Sequence, residues 1–173
     1  MDEEKITIRE MKSSEIDRIA EIDRTEHIMQ YYTLKNGFLE VNDVDWHVGP
    51  WDSAKKIKEW IPIAEGYENM WGAFEKERLV GFAVYRSHLT DDMAQFAIIH
   101  ISHEFRKMGI GKKLSEKVLG KARADGKKMI YVTSTPTKAT VDFYQKLGFK
   151  LVEQVNKELY ELEPDDIHMI MQL

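Results

Sequence analysis

The sequence predicts an α/β protein with an antiparallel meander in its middle and one βαβ crossover after it. Strand-like segments follow one another from Met70 to Ser102, with only short polar turns between them. A segment with helically spaced apolar residues, from Ile110 to Ala122, comes next and leads into another strand. Antiparallel neighbours need only a turn, whereas parallel neighbours need a helical crossover. The order of the segments therefore determines the fold class.

The first third of the chain predicts a strand and a helix. Alternating apolar residues predict a strand from Lys5 to Met11. Ser14-x-x-Asp17 resembles the capping box of a helix that reaches about Glu26. The elements predicted next are a strand at Phe38 to His47, a turn at Gly49-Pro50 and a short helix from Ser53 to Ala64.

The rest of the chain has clearer patterns. A helix from Gly109 to about Ala124 is predicted to end at Asp125-Gly126, since glycine readily takes the left-handed conformation that ends helices. Thr135 offers an N-cap and Pro136 the first position of a short helix that runs to Leu147. The predicted strands are Met70 to Phe74, Leu79 to Tyr85, Ala94 to Ser102, Met129 to Thr133, Phe149 to Gln154 and Ile167 to Gln172.

The composition excludes several classes of protein. With 173 residues, 43% of them hydrophobic and 32% charged, the chain suits one domain with a substantial core. The absence of cysteine excludes disulfides, thiolate metal sites and thiol nucleophiles. The net charge of −5, without a long basic tract, argues against nucleic-acid binding. No signal peptide and no apolar run of about 20 residues is present, so we expect a cytoplasmic protein without a membrane partner.

The most informative junction joins the strand around Ile101 to the helix after Gly109. Gly109 and Gly111 stand where the helix begins, and a missing Cβ lets the backbone approach a ligand closely. A helix N-terminus offers unpaired N–H donors and about half a positive charge, which suits a pyrophosphate. Arg106 and Lys112 add full positive charges on either side. By itself, the turn predicts an anion site.

The glycine spacing excludes two common nucleotide motifs. A Walker phosphate loop needs a glycine where Arg106 stands and a serine or threonine where Lys113 stands. A dinucleotide fingerprint needs a third glycine at the position of Leu114. For the turn taken alone, a strand–helix connection without any ligand remains the alternative.

Two motifs flank the predicted strand at Met129 to Thr133. Arg106-x-x-Gly109-x-Gly111 has the form Q/R-x-x-G-x-G/A. The second run begins at Thr137, contains the aromatic–tyrosine pair Phe143-Tyr144 and ends in Leu147-Gly148-Phe149. In this order and with these elements between them, the motifs resemble the two halves of the signature of the GNAT superfamily of N-acetyltransferases. The resemblance is strong from about Trp71 to Phe149.

The resemblance implies a central, mostly antiparallel mixed sheet of six to seven strands with a splayed central strand pair, flanked by helices. It implies one domain over residues 1–173, with residues 27–67 as a variable segment on the acceptor side. The implied donor is acetyl-CoA, and no metal is expected. The residues expected to bind the donor are Ile99, His100, Ile101, Arg106, Lys107, Met108, Gly109, Ile110, Gly111, Lys112, Thr137 and Tyr144.

The activity implied is acetyl transfer to a primary amine by direct attack, without an acyl-enzyme. Tyr144 matches the tyrosine that protonates the departing CoA thiolate or hydrogen-bonds its sulfur, and it is the expected catalytic residue. The alternative for Tyr144 is a core aromatic beside Val141 and Leu147. Two positions depart from the family pattern: Thr137 stands in place of asparagine, and Thr140 in place of alanine.

The sequence does not identify a group that takes the proton from the amine. Some family members carry a glutamate or histidine at positions that match Gln95 and Ala97, and neither of these accepts a proton. His100 and His103 do not form a metal motif, because a spacing of three on a strand sends the two rings to opposite faces. Asp165-Asp166 is predicted to be a polar turn. Four residues remain as candidates for the base that takes the amine proton: His88, Asp91, Asp92 and Glu68.

The acceptor remains open at this stage. The aromatic and acidic stretch from Tyr31 to Tyr67 suits a cationic amine, small or on a peptide, through carboxylates and cation–π contacts. The plainer interpretation is that its tryptophans pack a small subdomain while its acids face water. The alternative to an enzyme is a non-catalytic acyl-CoA sensor or an interaction module on the same fold. A homodimer is common in the family, but no interface signal stands out.

Overall fold

The computed structural model describes residues 6–50 and 69–173 and contains a seven-stranded sheet and a two-stranded sheet. The larger sheet has the strands β1 (Ile6–Glu10), β4 (Asn69–Glu75), β5 (Arg78–Arg86), β6 (Met93–Ile101), β7 (Met129–Ser134), β8 (Lys150–Leu151) and β9 (Ile167–Gln172). Their order is β1-β4-β5-β6-β7-β9-β8, and only β6 and β7 are parallel. The predicted mixed, mostly antiparallel sheet is confirmed.

Helices cover both faces of this sheet. On one face, α1 (Ile110–Ala124) makes the crossover from β6 to β7, and α2 (Lys138–Leu147) packs beside it. The helical period of α1 buries Leu114, Val118 and Ala122 completely, as predicted. A 3-10 helix at Ser13–Glu21 packs on the other face, over β4 and β5. No helix within the described residues is long and apolar enough to cross a membrane.

The two-stranded sheet is a hairpin of β2 (Glu26–Lys35) and β3 (Phe38–Val48). Its two-residue turn, Asn36-Gly37, has positive φ at both residues, 51° and 80°. Such a turn matches the twist of the flanking strands, and Asn-Gly is its preferred sequence. The predicted strand at Phe38 to His47 is confirmed, whereas β2 was not predicted although Asn36-Gly37 signals it.

The helix predicted from Ser14 to about Glu26 is wrong in length and in its cap. The 3-10 helix ends at Glu21, and its capping acid is Glu15, whose Oε2 accepts the Lys12 N–H at 2.9 Å. The chain then extends because Asp23 is held by the end of β6. Its N–H donates to Ser102 Oγ at 2.9 Å, and its carbonyl accepts the His103 N–H at 2.9 Å.

Three further predictions differ from the structure or lie outside it. The N-cap of α2 is Thr137, because the Pro136 carbonyl is already paired with the Tyr32 N–H at 2.8 Å. The strand predicted at Phe149 to Gln154 is only the short β8. A helix that was not predicted, α3 (Lys157–Leu162), follows and is capped by Asn156, whose Oδ1 accepts the Leu159 N–H at 3.1 Å. The helix predicted at Ser53 to Ala64 lies outside the described residues.

Candidate active site

The two parallel strands separate near the middle of the large sheet. The pairing of β6 with β7 covers only Met93–Gln95 and Met129–Tyr131, although both strands continue beyond it. At the same level β6 carries a bulge at Ala97, because Tyr85 pairs with Phe96 whereas Val84 pairs with Ile98. A bulge bends its strand and increases the local twist. The predicted splayed pair is therefore confirmed, and it forms a cleft that begins after Gln95 and Tyr131.

The loop between β6 and α1 presents backbone amides at one end of this cleft. Lys107 and Gly109 have positive φ, 63° and 79°, and Gly109 is the residue that precedes the first turn of α1. Within residues 6–50 and 69–173, no side chain caps this helix end. The first N–H groups of α1 are therefore available to an anion, supported by the helix dipole. Lys107 and Lys112 are exposed beside them.

The two glycines of the motif serve different purposes. A Cβ at Gly109 would meet no atom within 4 Å, so its left-handed φ is what requires glycine there. A Cβ at Gly111 would come within 3.1 Å of the Phe143 ring, so this glycine lets α1 pack closely against α2. The sequence predicted close approach of a ligand at both glycines, and the packing role of Gly111 was not predicted.

Replacing Gly109 with alanine should lower stability by about 1–2 kcal/mol, because an L-residue in the left-handed region is strained by roughly that amount. Thermal unfolding measures this, and CoA binding should weaken as the loop relaxes. Gly120 is the matched control, because a Cβ there would also meet no atom within 4 Å, whereas its backbone lies inside α1. There alanine should stabilise by about 0.5–1 kcal/mol. Equal shifts for both variants would contradict the role of the positive φ.

Arg106 lies against the cleft rather than in open solvent. Its Nε donates to the carbonyl of Ile101 at 3.1 Å, and one terminal nitrogen lies 3.6 Å from Glu26 Oε2. His100 is on β6 opposite Phe82 of β5, and the two rings stack with their centroids 6.3 Å apart. Burial, together with the charges of Arg106 and Arg24, lowers the pKa of His100 to about 4. The imidazole is therefore neutral beside the predicted donor site.

Tyr144 lies where the cleft begins. Its side chain packs edge-on against Phe96, with the ring centroids 5.7 Å apart, and the residue is only 4% exposed. Within residues 6–50 and 69–173, no hydrogen bond of its hydroxyl is observed. Burial, and to a smaller extent the charge of Asp166, raises the pKa of Tyr144. Val141 is fully buried beside it in the same core. Tyr144 therefore packs as a core aromatic does, and it also has a hydroxyl without a hydrogen bond to the described residues.

The β2–β3 hairpin connects the two sides of the cleft. On the β6 side, Glu26 lies beside Arg106, and the carbonyl of Thr25 lies 2.9 Å from His103 Nδ1. On the β7 side, Tyr31 forms a bridge with Thr137, and the Tyr32 hydroxyl donates to Asp142 at 2.7 Å. The hairpin therefore spans the cleft from the end of β6 to the start of α2.

Thr137 is part of this junction. Its hydroxyl donates to Thr140 Oγ1 at 2.8 Å and accepts the Thr140 N–H at 3.4 Å. The threonine pair thus stabilises the first turn of α2, where the family pattern has asparagine and alanine. A contact between this hydroxyl and the pantetheine arm stays a prediction.

A buried polar pair that was not predicted lies on the opposite face of the sheet from α1 and α2. Ile130 and Val132 pack towards those helices, so the alternate residue Tyr131 points the other way. The Tyr131 hydroxyl lies 2.7 Å from His168 Nδ1 and accepts the Asn156 N–H at 3.1 Å. His168 Nε2 lies 2.9 Å from the carbonyl of Glu163.

For a neutral imidazole, these contacts determine the direction of the hydrogen bonds. A carbonyl only accepts, so Nε2 of His168 carries a proton and Nδ1 accepts the proton of Tyr131. Tyr131 is 1% exposed and His168 is 5% exposed, and burial raises the pKa of Tyr131. Tyr131 is the last β7 residue paired with β6, so the pair lies at the point where the cleft begins. No sequence motif marked this pair, since its members come from distant strands.

Three of the four base candidates named from the sequence come before β6 rather than along its open edge. The His88 ring forms a hydrogen bond with Ser87, and the Asp92 carboxylate forms an ion pair with Lys128 at 3.1 Å. Asp91 and Asp92 come just before Met93, at the end of β6 that is far from the glycine loop. Glu68 lies outside the described residues. The predicted polar turn at Asp165-Asp166 is present. Burial, with the charges of Glu163 and Asp165, raises the pKa of Asp166 to about 7.

Sequence comparison shows the family to which the chain belongs. Residues 52–171, more than half of the chain, match the family model described as Acetyltransferase (GNAT) domain. The chain therefore belongs to the GNAT acetyltransferase family, and the resemblance inferred from its two motifs is confirmed. One curated relative, N-alpha-acetyltransferase 50 of Danio rerio, is 34% identical over 68 residues, which are 38% of this chain and 40% of the relative. The chain thus spans less than half the length of that relative.

Solved structures have the same fold over nearly the whole chain. Nourseothricin acetyltransferase has a TM-score of 0.74 at 17% identity, covering 96% of this chain and 98% of its own. A structure assigned as a streptothricin acetyltransferase from Bacillus anthracis str. Ames, in complex with acetyl coenzyme A, has a TM-score of 0.73 at 20% identity and covers 98% of both chains. At these identities the similarity establishes the fold.

Proposed function

We propose that this protein transfers the acetyl group of acetyl-CoA to a primary amine by direct attack. The observation that carries the proposal is the coincidence of three features at one cleft. These are the splayed β6–β7 pair, the uncapped N-terminus of α1 and the free hydroxyl of Tyr144. Family membership and the acetyl coenzyme A complex of the Bacillus anthracis structure support this donor.

In the proposed complex the donor lies along β6. The amides of Lys107 to Lys112 bind the pyrophosphate through the N-terminus of α1. Beyond Gln95 the pairing with β7 has ended, so the edge of Ile99 to Ile101 is open for the pantetheine amides to add as a strand would. The acyl group then lies near the bulge at Ala97, beside Tyr144.

Tyr144 acts on the sulfur of the donor. A phenol whose pKa is raised by burial stays protonated and is a weaker acid than the CoA thiol, whose pKa is about 8.5 by analogy with cysteine. Complete proton transfer to the thiolate is then unfavourable, whereas a hydrogen bond to the developing negative charge is favourable. Of the two roles considered for Tyr144, the structure thus favours hydrogen-bond donation, and the thiolate takes its proton from water after release.

The Tyr131–His168 pair takes the proton from the amine. As the new N–C bond forms and the thioester C–S bond breaks, the amine proton passes to the Tyr131 oxygen, while the phenolic proton passes to His168 Nδ1. The resulting imidazolium keeps its Nε2 hydrogen bond to the Glu163 carbonyl. The support for this step is the direction of the hydrogen bonds and the position of Tyr131 at the start of the cleft.

The acceptor is proposed to be a cationic amine that approaches along the β2–β3 hairpin. The hairpin carries Glu26, Glu40, Asp43 and Asp45 against a single lysine, Lys35. Tyr31 and Trp46 lie next to each other there, with ring centroids 4.9 Å apart, and Trp46 is exposed. Carboxylates and aromatic faces together attract ammonium groups, with cation–π contacts contributing about 0.5–2 kcal/mol.

An acceptor panel tests both the activity and the acceptor class. Purified protein with acetyl-CoA should release free thiol when a cationic amine is added, and product mass should rise by one acetyl group. The panel contains polyamines, aminoglycosides, a streptothricin-type antibiotic, amino acids and peptides with a free N-terminus. Turnover confined to neutral or acidic acceptors would contradict the acceptor class. Tight acetyl-CoA binding without turnover on any amine would instead indicate the sensor alternative.

A further inference from the structure

Three metal-binding side chains converge at the open end of the hairpin. His27 and His47 are register partners on β2 and β3, and their rings stack with centroids 4.1 Å apart and planes 12° apart. Asp45 lies two residues before His47 and so points to the same face. Its Oδ1 is 2.6 Å from His27 Nε2 and 3.3 Å from His47 Nε2. Both imidazole Nε2 atoms therefore approach a single carboxylate oxygen.

The chemistry of this cluster fits a transition-metal ion. Two imidazole nitrogens and one carboxylate oxygen form a donor set that zinc commonly uses, with bonds of about 2.0–2.2 Å. One potential ligand atom from each residue lies within 4.8 Å of the others. A tetrahedral ion needs its donors roughly 3.3–3.5 Å apart at those bond lengths. Only small side-chain rotations separate the observed arrangement from that geometry.

The surroundings allow those rotations and favour a cation. The side chains of His27, Asp45 and His47 are 47%, 76% and 69% exposed, so they are not locked by packing. Asp43, on the same strand as Asp45, adds negative charge. Exposure also leaves a fourth coordination position open to water.

We propose that His27, Asp45 and His47 bind one Zn²⁺ ion that clips the open end of the β2–β3 hairpin. A bond between the first residues of β2 and the last residues of β3 would add to the contacts that anchor the hairpin and would stabilise its open end. Apart from Asp45, which belongs to the acidic hairpin proposed to attract the acceptor, the ligands of the ion take no part in the proposed acetyl transfer. The inference therefore stands or falls independently of that activity.

Zinc binding is measured on the full chain after treatment with a chelator. Isothermal titration should show saturable binding of one Zn²⁺ per chain, and Mg²⁺, which prefers oxygen ligands, should not bind at this site. The variants His27→Ala and His47→Ala should each weaken Zn²⁺ affinity at least tenfold. The control is His88→Ala, because His88 lies at the β5–β6 turn and should leave the affinity unchanged.

A second measurement does not depend on any variant. Ring signals of His27 and His47 in ¹H–¹⁵N NMR spectra should shift together as Zn²⁺ is added, while those of His168 stay fixed. If the histidines only pair with Asp45, these signals will not respond to micromolar Zn²⁺, and the proposal is wrong. It is equally wrong if Zn²⁺ binds with the same affinity after both histidines are replaced.

Discussion

Replacing Tyr144 with phenylalanine should reduce kcat about 100-fold while the KM for acetyl-CoA changes little. The variant removes the hydroxyl that donates to the departing sulfur, and general acid or hydrogen-bond catalysis of this kind contributes roughly 10²–10⁴-fold. The ring contacts with Phe96, Phe143 and Phe149 remain, so the core stays packed. Steady-state kinetics with thiol detection measures the change under saturating donor.

Tyr85 provides the control for this variant. It is also a fully buried tyrosine, but its hydroxyl donates to Asp125 at 2.7 Å, at the C-terminal end of α1 and away from the glycine loop. Tyr85→Phe should lower stability by about 1–2 kcal/mol through the lost hydrogen bond, with kcat unchanged. Undiminished turnover of Tyr144→Phe would remove the catalytic role and leave Tyr144 as a core aromatic only.

Replacing Tyr131 with phenylalanine should also reduce kcat about 100-fold, because the path for the amine proton is interrupted. The free energy of unfolding should fall by about 1–3 kcal/mol, because His168 Nδ1 and the Asn156 N–H lose their shared partner. Kinetics with a strongly basic and a weakly basic amine separates the two effects. The rate loss should be larger for the strongly basic amine, which arrives protonated and depends more on a base.

A purely structural role of Tyr131 predicts equal losses for both amines. Tyr160→Phe is the matched control, since Tyr160 lies 5.7 Å from His168 between ring centroids but is 46% exposed. Its rates should match those of the unmodified protein. Full activity of Tyr131→Phe with both amines would contradict the proposed proton path. The carboxyl group of Asp166, near Tyr144 and with its pKa raised to about 7, would then be the next candidate.

The sequence predicted the elements whose signals are local. The glycine turn before Ile110 and the apolar period of α1 lie within one segment, so both were predicted correctly. The hairpin strand β2 was not predicted, although its turn sequence Asn36-Gly37 is a local signal for a hairpin. The early end of the first helix could not be predicted, because it depends on hydrogen bonds of Asp23 with Ser102 and His103, which follow β6.

The donor side of the site was likewise easier to predict than the acceptor side. Arg106 and Tyr144 belong to short motifs with fixed spacing, and the structure places them at the two sides of one cleft. The Tyr131–His168 pair depends on the pairing of β7 with β9, which brings together residues far apart in sequence. A pattern search along the chain cannot detect such a pair, because neither residue is unusual in a strand.

The hairpin that spans the cleft has a consequence for how donor binding and acceptor binding affect each other. It contacts the β6 side through Glu26 and Arg106 and the α2 side through Tyr32 and Asp142. A donor that occupies the cleft would hold both anchors at a fixed separation and so restrict the hairpin before an amine arrives. The acceptor would then lose less conformational entropy on binding, which is positive coupling without a new contact. By thermodynamic linkage, the acceptor must strengthen donor binding by the same factor.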